Sequence, residues 1–218
     1  MPRHESAHRV FFREFVRSFR TTGAVLPSGR FLAGALTRYV AAPRAEAAGR
    51  RLLEVGPGTG AVTRRLVRAM RSDDRLDLVE INEQFVAVLR AALADDPGFN
   101  VAAGRIRLLH GAIEDVQLEP PYEVIVSGLP LNNFAPAEVE RILARLAELL
   151  APGGTLSFFE YMAVRACRSA VGPAAERARF RAITAVLDGL FRRGRIRRDW
   201  VWLNVPPAWV HHVRLAGL

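Results

Sequence analysis

The sequence predicts an α/β domain built on a mainly parallel sheet, and three observations lead to this prediction. Short apolar runs of strand length alternate with helical runs between residues 51 and 192. A glycine-rich turn follows the first apolar run in the stretch LLEVGPGTG, residues 52–60, and leads directly into a helix. The last two apolar runs are separated by only a few residues, so they must pair antiparallel.

The predicted elements follow in chain order. Strands are expected at 51–55, 75–79, 105–109, 123–127, 155–159, 200–204 and 210–215. Helices are expected at 29–40, 61–70, 83–94, 136–150 and 173–192. We divide the chain into an N-terminal arm and lid, residues 1–42, and a nucleotide-binding domain, residues 43–218.

The arm carries an amphipathic helix over residues 5–20. At 100° per residue, phenylalanines fall on one side and arginines on the other, as expected for a helix lying in a membrane interface. A helix that packs its phenylalanines on the domain fits the same pattern. The residues assigned to membrane contact are Arg9, Phe12, Arg13, Phe15, Arg17 and Phe19. Arg30 follows in GAVLPSGR, which is either a lid over the ligand or a connector.

Composition limits the partners and the compartment. The net charge of +9 and a pI near 11.2 favour a polyanionic partner, either nucleic acid or an anionic membrane surface. A single cysteine, Cys167, excludes an internal disulfide and a cysteine-based metal site. No apolar run reaches the roughly 18 residues of a membrane span, and no secretory signal is evident. We therefore expect a cytoplasmic protein.

The glycine-rich turn predicts a nucleotide-type ligand. Gly56, Gly58 and Gly60 allow backbone angles that side chains resist and let a ligand lie on the backbone beside the start of the next helix. Glu80 ends the second strand twenty residues later, where a carboxylate accepts hydrogen bonds from ribose hydroxyls. The spacing G-x-G-x-G, with Glu54 two residues earlier, resembles motif I of the class I methyltransferases that use S-adenosylmethionine (SAM).

That resemblance implies a Rossmann-like, seven-stranded sheet with an antiparallel strand near its end. It also implies that the loop contacts the methionine part of SAM, which leaves as S-adenosylhomocysteine. Ile81, Ala112 and Ile113 would surround the adenine. Many members carry an acid at the position of Ala112, so here Glu114, Asp115 or a backbone carbonyl would take its role.

The resemblance places the acceptor motif after the fourth strand, at Ser127, Gly128, Leu129 and Pro130. Ser127 also belongs to the expected cofactor contacts. Amino methyltransferases of nucleic acid carry Asn or Asp, then a proline motif and an aromatic residue, and the sequence SGLPLNNF departs from that pattern. Asn133 and its neighbours Asn132 and Phe134 would line an acceptor pocket. Tyr161 and Glu160, at the end of the fifth strand, would position the amine or accept its proton.

Three segments extend the resemblance to the bacterial phospholipid N-methyltransferases of the soluble, membrane-associated type. They are the basic arm with GAVLPSGR, the stretch SGLPLNNF and the stretch WLNVPPAWV. The resemblance implies stepwise methylation of phosphatidylethanolamine towards phosphatidylcholine, on the inner face of the cytoplasmic membrane and beside anionic phospholipids.

Two alternatives stay open. Ribosomal RNA adenine dimethyltransferases resemble the same core, although they carry Asn-Leu-Pro-Tyr after strand four and an added helical domain. A SAM-binding, lipid-associated protein without turnover is the other alternative. We expect neither a nucleic-acid partner nor a metal. His211 and His212 alternate on a terminal strand, and we interpret them as structural. Arg165 is a candidate for contact with the lipid phosphate, and the arginines of 192–198 are interpreted as a positively charged surface.

Overall fold

The computed structural model describes residues 29–42, 48–102, 104–162 and 173–215. Within these ranges seven strands form one sheet in the order β3-β2-β1-β4-β5-β7-β6. The strands are β1 (Arg51–Val55), β2 (Arg75–Glu80), β3 (Ile106–His110), β4 (Tyr122–Ser127), β5 (Leu150–Tyr161), β6 (Arg195–Val201) and β7 (Ala208–Arg214). The helices are α1 (Arg30–Leu36), α2 (Arg38–Ala41), α3 (Ala61–Ala69), α4 (Glu83–Asp95), α5 (Pro97–Asn100), α6 (Pro136–Leu149) and α7 (Ala174–Gly194).

Strand direction confirms the predicted fold. Strands β1 to β5 pair in parallel, and β7 is inserted antiparallel between β5 and β6. Ala208 pairs with both Tyr161 and Val201. The turn between β6 and β7 therefore lies at the same edge of the sheet as the carboxyl ends of β1, β4 and β5.

Helices cover both faces of the sheet. Leu53 and Val55 of β1 belong to a core that includes the buried side chains of α6 and α7. Leu52 faces the other way and packs with Leu32 of α1 and Leu66 of α3. Because side chains alternate along a strand, Glu54 shares the face of Leu52 and points towards the α1 and α3 layer.

Three predicted boundaries were wrong. The sixth strand runs Arg195–Val201 rather than 200–204. The prediction missed its start because its first four residues, three arginines and one isoleucine, are all exposed and show no apolar alternation. The helix predicted at 29–40 is interrupted at Thr37, whose hydroxyl donates to the carbonyl of Ala33 at 2.8 Å. Strand β5 begins at Leu150, so the stretch 152–154 lies inside an irregular strand rather than before it.

A network of charged groups joins the opposite, amino edge of the sheet. Asp74 is fully buried and accepts hydrogen bonds from the backbone and guanidinium of Arg50 and from the backbone of Arg71. Arg50 also donates to the carbonyl of Val40 at 2.9 Å, which ties α2 to β1 and β2. Burial alone would raise the pKa of Asp74, but the hydrogen bonds from Arg50 and Arg71 lower it below its ordinary value.

A second set of ion pairs lies beside the first. Arg107 of β3 makes a two-nitrogen contact with Asp77 of β2, at 2.9 and 2.8 Å. Glu119 contacts Arg107 at 3.0 Å and Arg51 of β1 at 2.9 Å. Together with the Asp74 contacts, these pairs link β1, β2, β3 and the entry to β4.

Several predicted features lie outside the described residues. They are Arg9, Phe12, Arg13, Phe15, Arg17 and Phe19 of the arm, together with Arg165 and Cys167. Among the helices that the structure describes, none combines the length and the apolar character that a membrane crossing requires.

Candidate cofactor site and acceptor face

A cleft lies at the carboxyl edge of β1, β2 and β4. The ends of three parallel strands meet there, which is the usual binding position in an open α/β sheet. Its lining is apolar apart from two carboxylates. The lining residues are Val55, Gly56, Val79, Glu80, Ile81, Gly111, Ala112, Ile113, Glu114, Leu129, Phe134 and Ile142.

The three loop glycines all adopt left-handed backbone angles, with φ of +72° at Gly56, +58° at Gly58 and +84° at Gly60. They differ in their surroundings. A Cβ added at Gly56 would lie 2.8 Å from the side chain of Leu129, and one added at Gly60 would lie 3.0 Å from Leu89. A Cβ at Gly58 would meet nothing within 4 Å. Gly58 is therefore the loop glycine with free space in front of it, as a ligand lying on the backbone requires.

Glu80 is held in position by the loop it faces. Its two carboxylate oxygens accept hydrogen bonds from the backbone N–H groups of Gly58, at 3.0 Å, and Asn82, at 2.9 Å. Burial raises the pKa of Glu80 above its ordinary value, while these two N–H groups lower it. Each carboxylate oxygen keeps further acceptor capacity, so the side chain is fixed and can still accept from a pair of hydroxyls in the cleft.

Glu54 lies next to the loop and is 1% exposed. Its side chain points towards the α1 and α3 layer, where the fully buried Thr63 lies in α3. Burial raises the pKa of Glu54 to about 8, and the nearby Glu80 carboxylate adds to the rise. A hydrogen bond from the Thr63 hydroxyl opposes both effects, and Glu54 does not line the cleft.

These groups together fit SAM. The molecule carries a ribose diol for Glu80 and an adenine for the apolar lining. Ile81, Ala112 and Ile113 line the cleft where the adenine was expected. Of the two acids left open there, Glu114 lines the cleft, and Asp115 is exposed outside it.

The acceptor motif packs directly on the glycine loop. A Cβ at Gly128 would lie 2.5 Å from the carbonyl oxygen of Gly56, so no side chain fits at this contact. Leu129 lines the cleft. Ser127 is fully buried, and its hydroxyl accepts from the backbone N–H of Leu129 at 3.3 Å. The serine hydroxyl thus supports the turn and does not line the cleft, whereas Pro130 is partly exposed.

Beyond this motif the chain forms a short 3-10 turn at Leu131–Asn133 and reaches Phe134, which is buried and lines the cleft. Asn132 is buried and Asn133 is half-buried, and neither of them lines the cleft. Ile142 of α6 also lines the cleft and was missed by the sequence reasoning. Its position in the amphipathic pattern of α6 marked it only as a core residue.

The end of β5 does not reach the cleft lining. Glu160 is buried, and its Oε2 lies 2.8 Å from Nε2 of His211. Tyr161 is half-buried and its ring packs edge-on against Phe159, with centroids 5.0 Å apart. Burial raises the pKa of Tyr161. Arg30, assigned to the lipid phosphate, lies at the start of α1, over the ring of Phe31 and beside a second groove.

The other terminal histidine joins three elements. Nδ1 of His212 lies 2.8 Å from the hydroxyl of Ser157, and its Nε2 lies 3.4 Å from Asp199, which also contacts Arg38 of α2. Burial lowers the pKa of His212 to about 4, against the opposing effect of Asp199. Ser157 and His212 are fully buried, so the hydroxyl and the imidazole do not meet solvent, whereas Asp199 borders a surface groove. The described residues contain no group of three or more side chains suited to hold a metal ion.

Comparisons with known proteins agree with this geometry. A family model described as a methyltransferase domain matches residues 52–154. The ornithine lipid N-methyltransferase of Singulisphaera acidiphila is 29% identical over 149 residues, which cover 68% of this chain and 74% of that protein. The ribosomal RNA small subunit methyltransferase A of Pseudomonas syringae pv. tomato is 34% identical over 104 residues, which cover 48% of this chain and only 37% of that protein.

Solved structures agree on the fold. A glycopeptide N-methyltransferase complexed with sinefungin superposes with a TM-score of 0.61 at 19% identity, covering 85% of each chain. The fold is the Rossmann-like methyltransferase fold, as predicted, and SAM is the cofactor that the loop, Glu80 and the family model indicate.

Proposed function

We propose that this chain, a class I SAM-dependent methyltransferase, transfers methyl groups to the amine of a membrane lipid head group. Phosphatidylethanolamine, methylated stepwise towards phosphatidylcholine, is the acceptor we favour. The observation that carries the proposal is the similarity to a lipid N-methyltransferase over two thirds of the chain. Because that relative is named for ornithine lipid, ornithine lipid is the second candidate acceptor.

SAM supplies an activated methyl group on a sulfonium, so the protein contributes mainly by positioning. Before transfer the lipid ammonium would lose a proton to bulk water. A bond would then form between the neutral amine nitrogen and the methyl carbon as the carbon–sulfur bond breaks and its electron pair stays on sulfur. Leu129, Phe134 and Ile142 form an apolar wall in the cleft. Such a wall excludes water and favours the neutral amine over the ammonium, and only the neutral amine is nucleophilic.

The acceptor turn fixes where the amine meets the methyl group. Gly128 permits the close contact with Gly56, so residues 127–130 and the cofactor loop are held as one unit. Ser127 supports this turn from beneath, and we assign it a positioning role. We propose that Asn133, half-buried in the turn that follows Pro130, orients the amine.

We further propose that the enzyme is peripheral on the inner face of the cytoplasmic membrane. The support is the net charge of +9 and the amphipathic pattern of residues 5–20, with phenylalanines opposite arginines. Anionic phospholipids would then attract the enzyme, and the amine-bearing lipid would be its substrate.

The deciding experiment offers radiolabelled SAM to three acceptors in parallel: vesicles containing phosphatidylethanolamine, vesicles containing ornithine lipid, and total RNA. We expect label in the extracted lipid and none in RNA. Label in ornithine lipid alone would select the second acceptor.

The ribosomal RNA methyltransferases supply a second candidate function, since their similarity covers the cofactor-binding half of this chain. Label in RNA with unlabelled lipid would establish that function instead. Binding of SAM without label in any acceptor would point to a lipid-associated protein that has lost turnover.

A further inference from the structure

An apolar tip projects from the hairpin of β6 and β7, where aliphatic and aromatic side chains face solvent together. Trp202 is 63% exposed, and Leu203 and Val205 are each 72% exposed. Trp200, at the end of β6, is about half exposed. Scattered apolar residues are common on protein surfaces, but a cluster that includes a tryptophan at a loop tip indicates an interaction site.

Hydrogen bonds and ring contacts hold the base of the tip. Asn204 is buried beneath it, accepts from the backbone N–H of Gly29 at 3.1 Å and donates to the carbonyl of Pro206 at 2.8 Å. The ring of Trp202 stacks on Trp200 with centroids 5.4 Å apart, and Trp200 meets Trp209 edge-on at 5.5 Å. The protein therefore holds the tip side chains outward instead of folding them onto its surface.

Arginines surround the tip. Arg198 lies over the rings of Trp200 and Trp209, at 5.0 and 5.5 Å. A groove between the hairpin and α1 is lined by four arginines and one aspartate, namely Arg30, Arg38, Arg65, Arg197 and Asp199. The surface thus combines apolar side chains with excess positive charge.

The position of the tip connects it to the cofactor cleft. Both lie at the same edge of the sheet, and β6 is three strands from β4, roughly 14 Å at the usual strand spacing. Gly29 contacts Asn204 and belongs to the N-terminal arm and lid, residues 1–42, in which the amphipathic helix is predicted at residues 5–20. A surface that held the tip would also face the mouth of the cleft.

We infer that the tip of the β6–β7 hairpin enters the interface of an anionic bilayer, as a second membrane contact beside the N-terminal arm. Tryptophan is favoured at the boundary between head groups and acyl chains, leucine and valine reach the acyl region, and the arginines meet lipid phosphates. Single-stranded RNA would use aromatic stacking but gains little from exposed leucine and valine. A second copy of the chain would bring the same arginines against each other.

This inference extends the proposed function, because it names a surface that would turn the cleft towards the lipid. Membrane binding and methyl transfer are nevertheless measured separately, so either can fail without the other.

The sequence offers a direct probe, since all three tryptophans of the chain, Trp200, Trp202 and Trp209, lie in this hairpin. The double variant W200F/W209F leaves Trp202 as the only tryptophan. The full-length variant is mixed with vesicles of phosphatidylglycerol and brominated phosphatidylcholine. We expect a blue shift of the emission and strong quenching by the bromine atoms, both reversed by high salt. Co-sedimentation without quenching would overturn the inference, because other segments would then account for the binding.

A second variant tests the contribution of the tip to affinity. W202A/L203S/V205S removes the exposed apolar side chains, and we expect vesicle affinity to fall roughly tenfold or more. The matched control is V88S/V101S, which changes two exposed valines away from this hairpin. SAM affinity should stay unchanged in both variants.

Three other results would overturn the inference. The first is equal vesicle affinity of the tip variant and the control variant. The second is RNA binding that quenches Trp202 fluorescence when no vesicle binding is seen. The third is a protein that is dimeric in solution and becomes monomeric in the tip variant. Methyl transfer to a monomeric short-chain lipid measures the active site separately from membrane binding. If the tip variant loses vesicle binding but keeps this transfer, the surface and the active site are independent.

Discussion

Gly58 provides the sharpest test of the cofactor site. Replacing it by valine places a branched side chain where the structure leaves open space, at a backbone φ of +58°. The left-handed angle costs about 1–2 kcal/mol of stability for a residue other than glycine. If the methionine part of SAM lies there, overlap with the new side chain costs about 1–3 kcal/mol more in binding. We therefore expect SAM affinity to fall roughly tenfold to a hundredfold, measured by titration calorimetry.

Gly153 supplies a matched control. It has a similar φ of +72° and also has nothing within 4 Å of an added Cβ, but it lies in β5 near the opposite edge of the sheet. Gly153→Val should lose similar stability in urea unfolding and keep the SAM affinity of the unchanged protein. Equal affinity in both variants, or equal loss in both, would refute the assignment of Gly58 to the cofactor.

Three further predictions concern carboxylates and a histidine. Glu80→Ala removes the acceptor of the hydrogen bonds from Gly58 and Asn82, and SAM binding measured by calorimetry should weaken roughly tenfold or more. The control Glu83→Ala, at an exposed residue, should leave the affinity unchanged. Equal affinities of the two variants would contradict the assignment of Glu80 to the ribose. The raised pKa of Glu54 predicts that the free energy of unfolding falls as pH rises from 4.5 to about 8, by at most about 5 kcal/mol. Glu54→Gln should flatten this dependence in urea unfolding, and a variant with the same pH dependence as the unchanged protein would contradict the prediction. The lowered pKa of His212 predicts the opposite trend: the free energy of unfolding falls as pH falls from 6.5 to about 4, by at most about 3 kcal/mol. His212→Gln should remove this loss in urea unfolding. A variant that loses stability in acid as the unchanged protein does would contradict the prediction.

Local pattern was sufficient to predict most of the fold. β1 was predicted with its exact bounds, and α3, α4 and α6 to within one residue, because each strand end is followed by a turn and an amphipathic helix. β6 was misplaced because an edge strand with arginines on both faces has no apolar period, while the neighbouring WVWLN stretch is an apolar run. Of that run, Trp200 and Val201 end β6, and Trp202 and Leu203 belong to the exposed hairpin tip.

The site was predictable where chemistry follows from the backbone. Glycine spacing and a carboxylate at a strand end identify the loop and Glu80, since both requirements are local. Contacts between distant segments could not be read in this way. The serine of the acceptor motif supports a turn, and Glu160 contacts His211, a residue 51 positions later. Only the packed structure reveals which polar groups are already occupied.

The charged network at the amino edge has a consequence for how this protein can change. Its buried pair Arg50–Asp74 and the ion pairs around Arg107 and Glu119 fasten the strands at the edge away from the cleft. Breaking a buried pair costs about 3–5 kcal/mol, and none of the residues that line the cleft takes part in these pairs. The pairs that fasten the strands and the residues that line the cleft therefore lie at opposite edges of one sheet. Residues of the cleft can change without breaking any of these pairs.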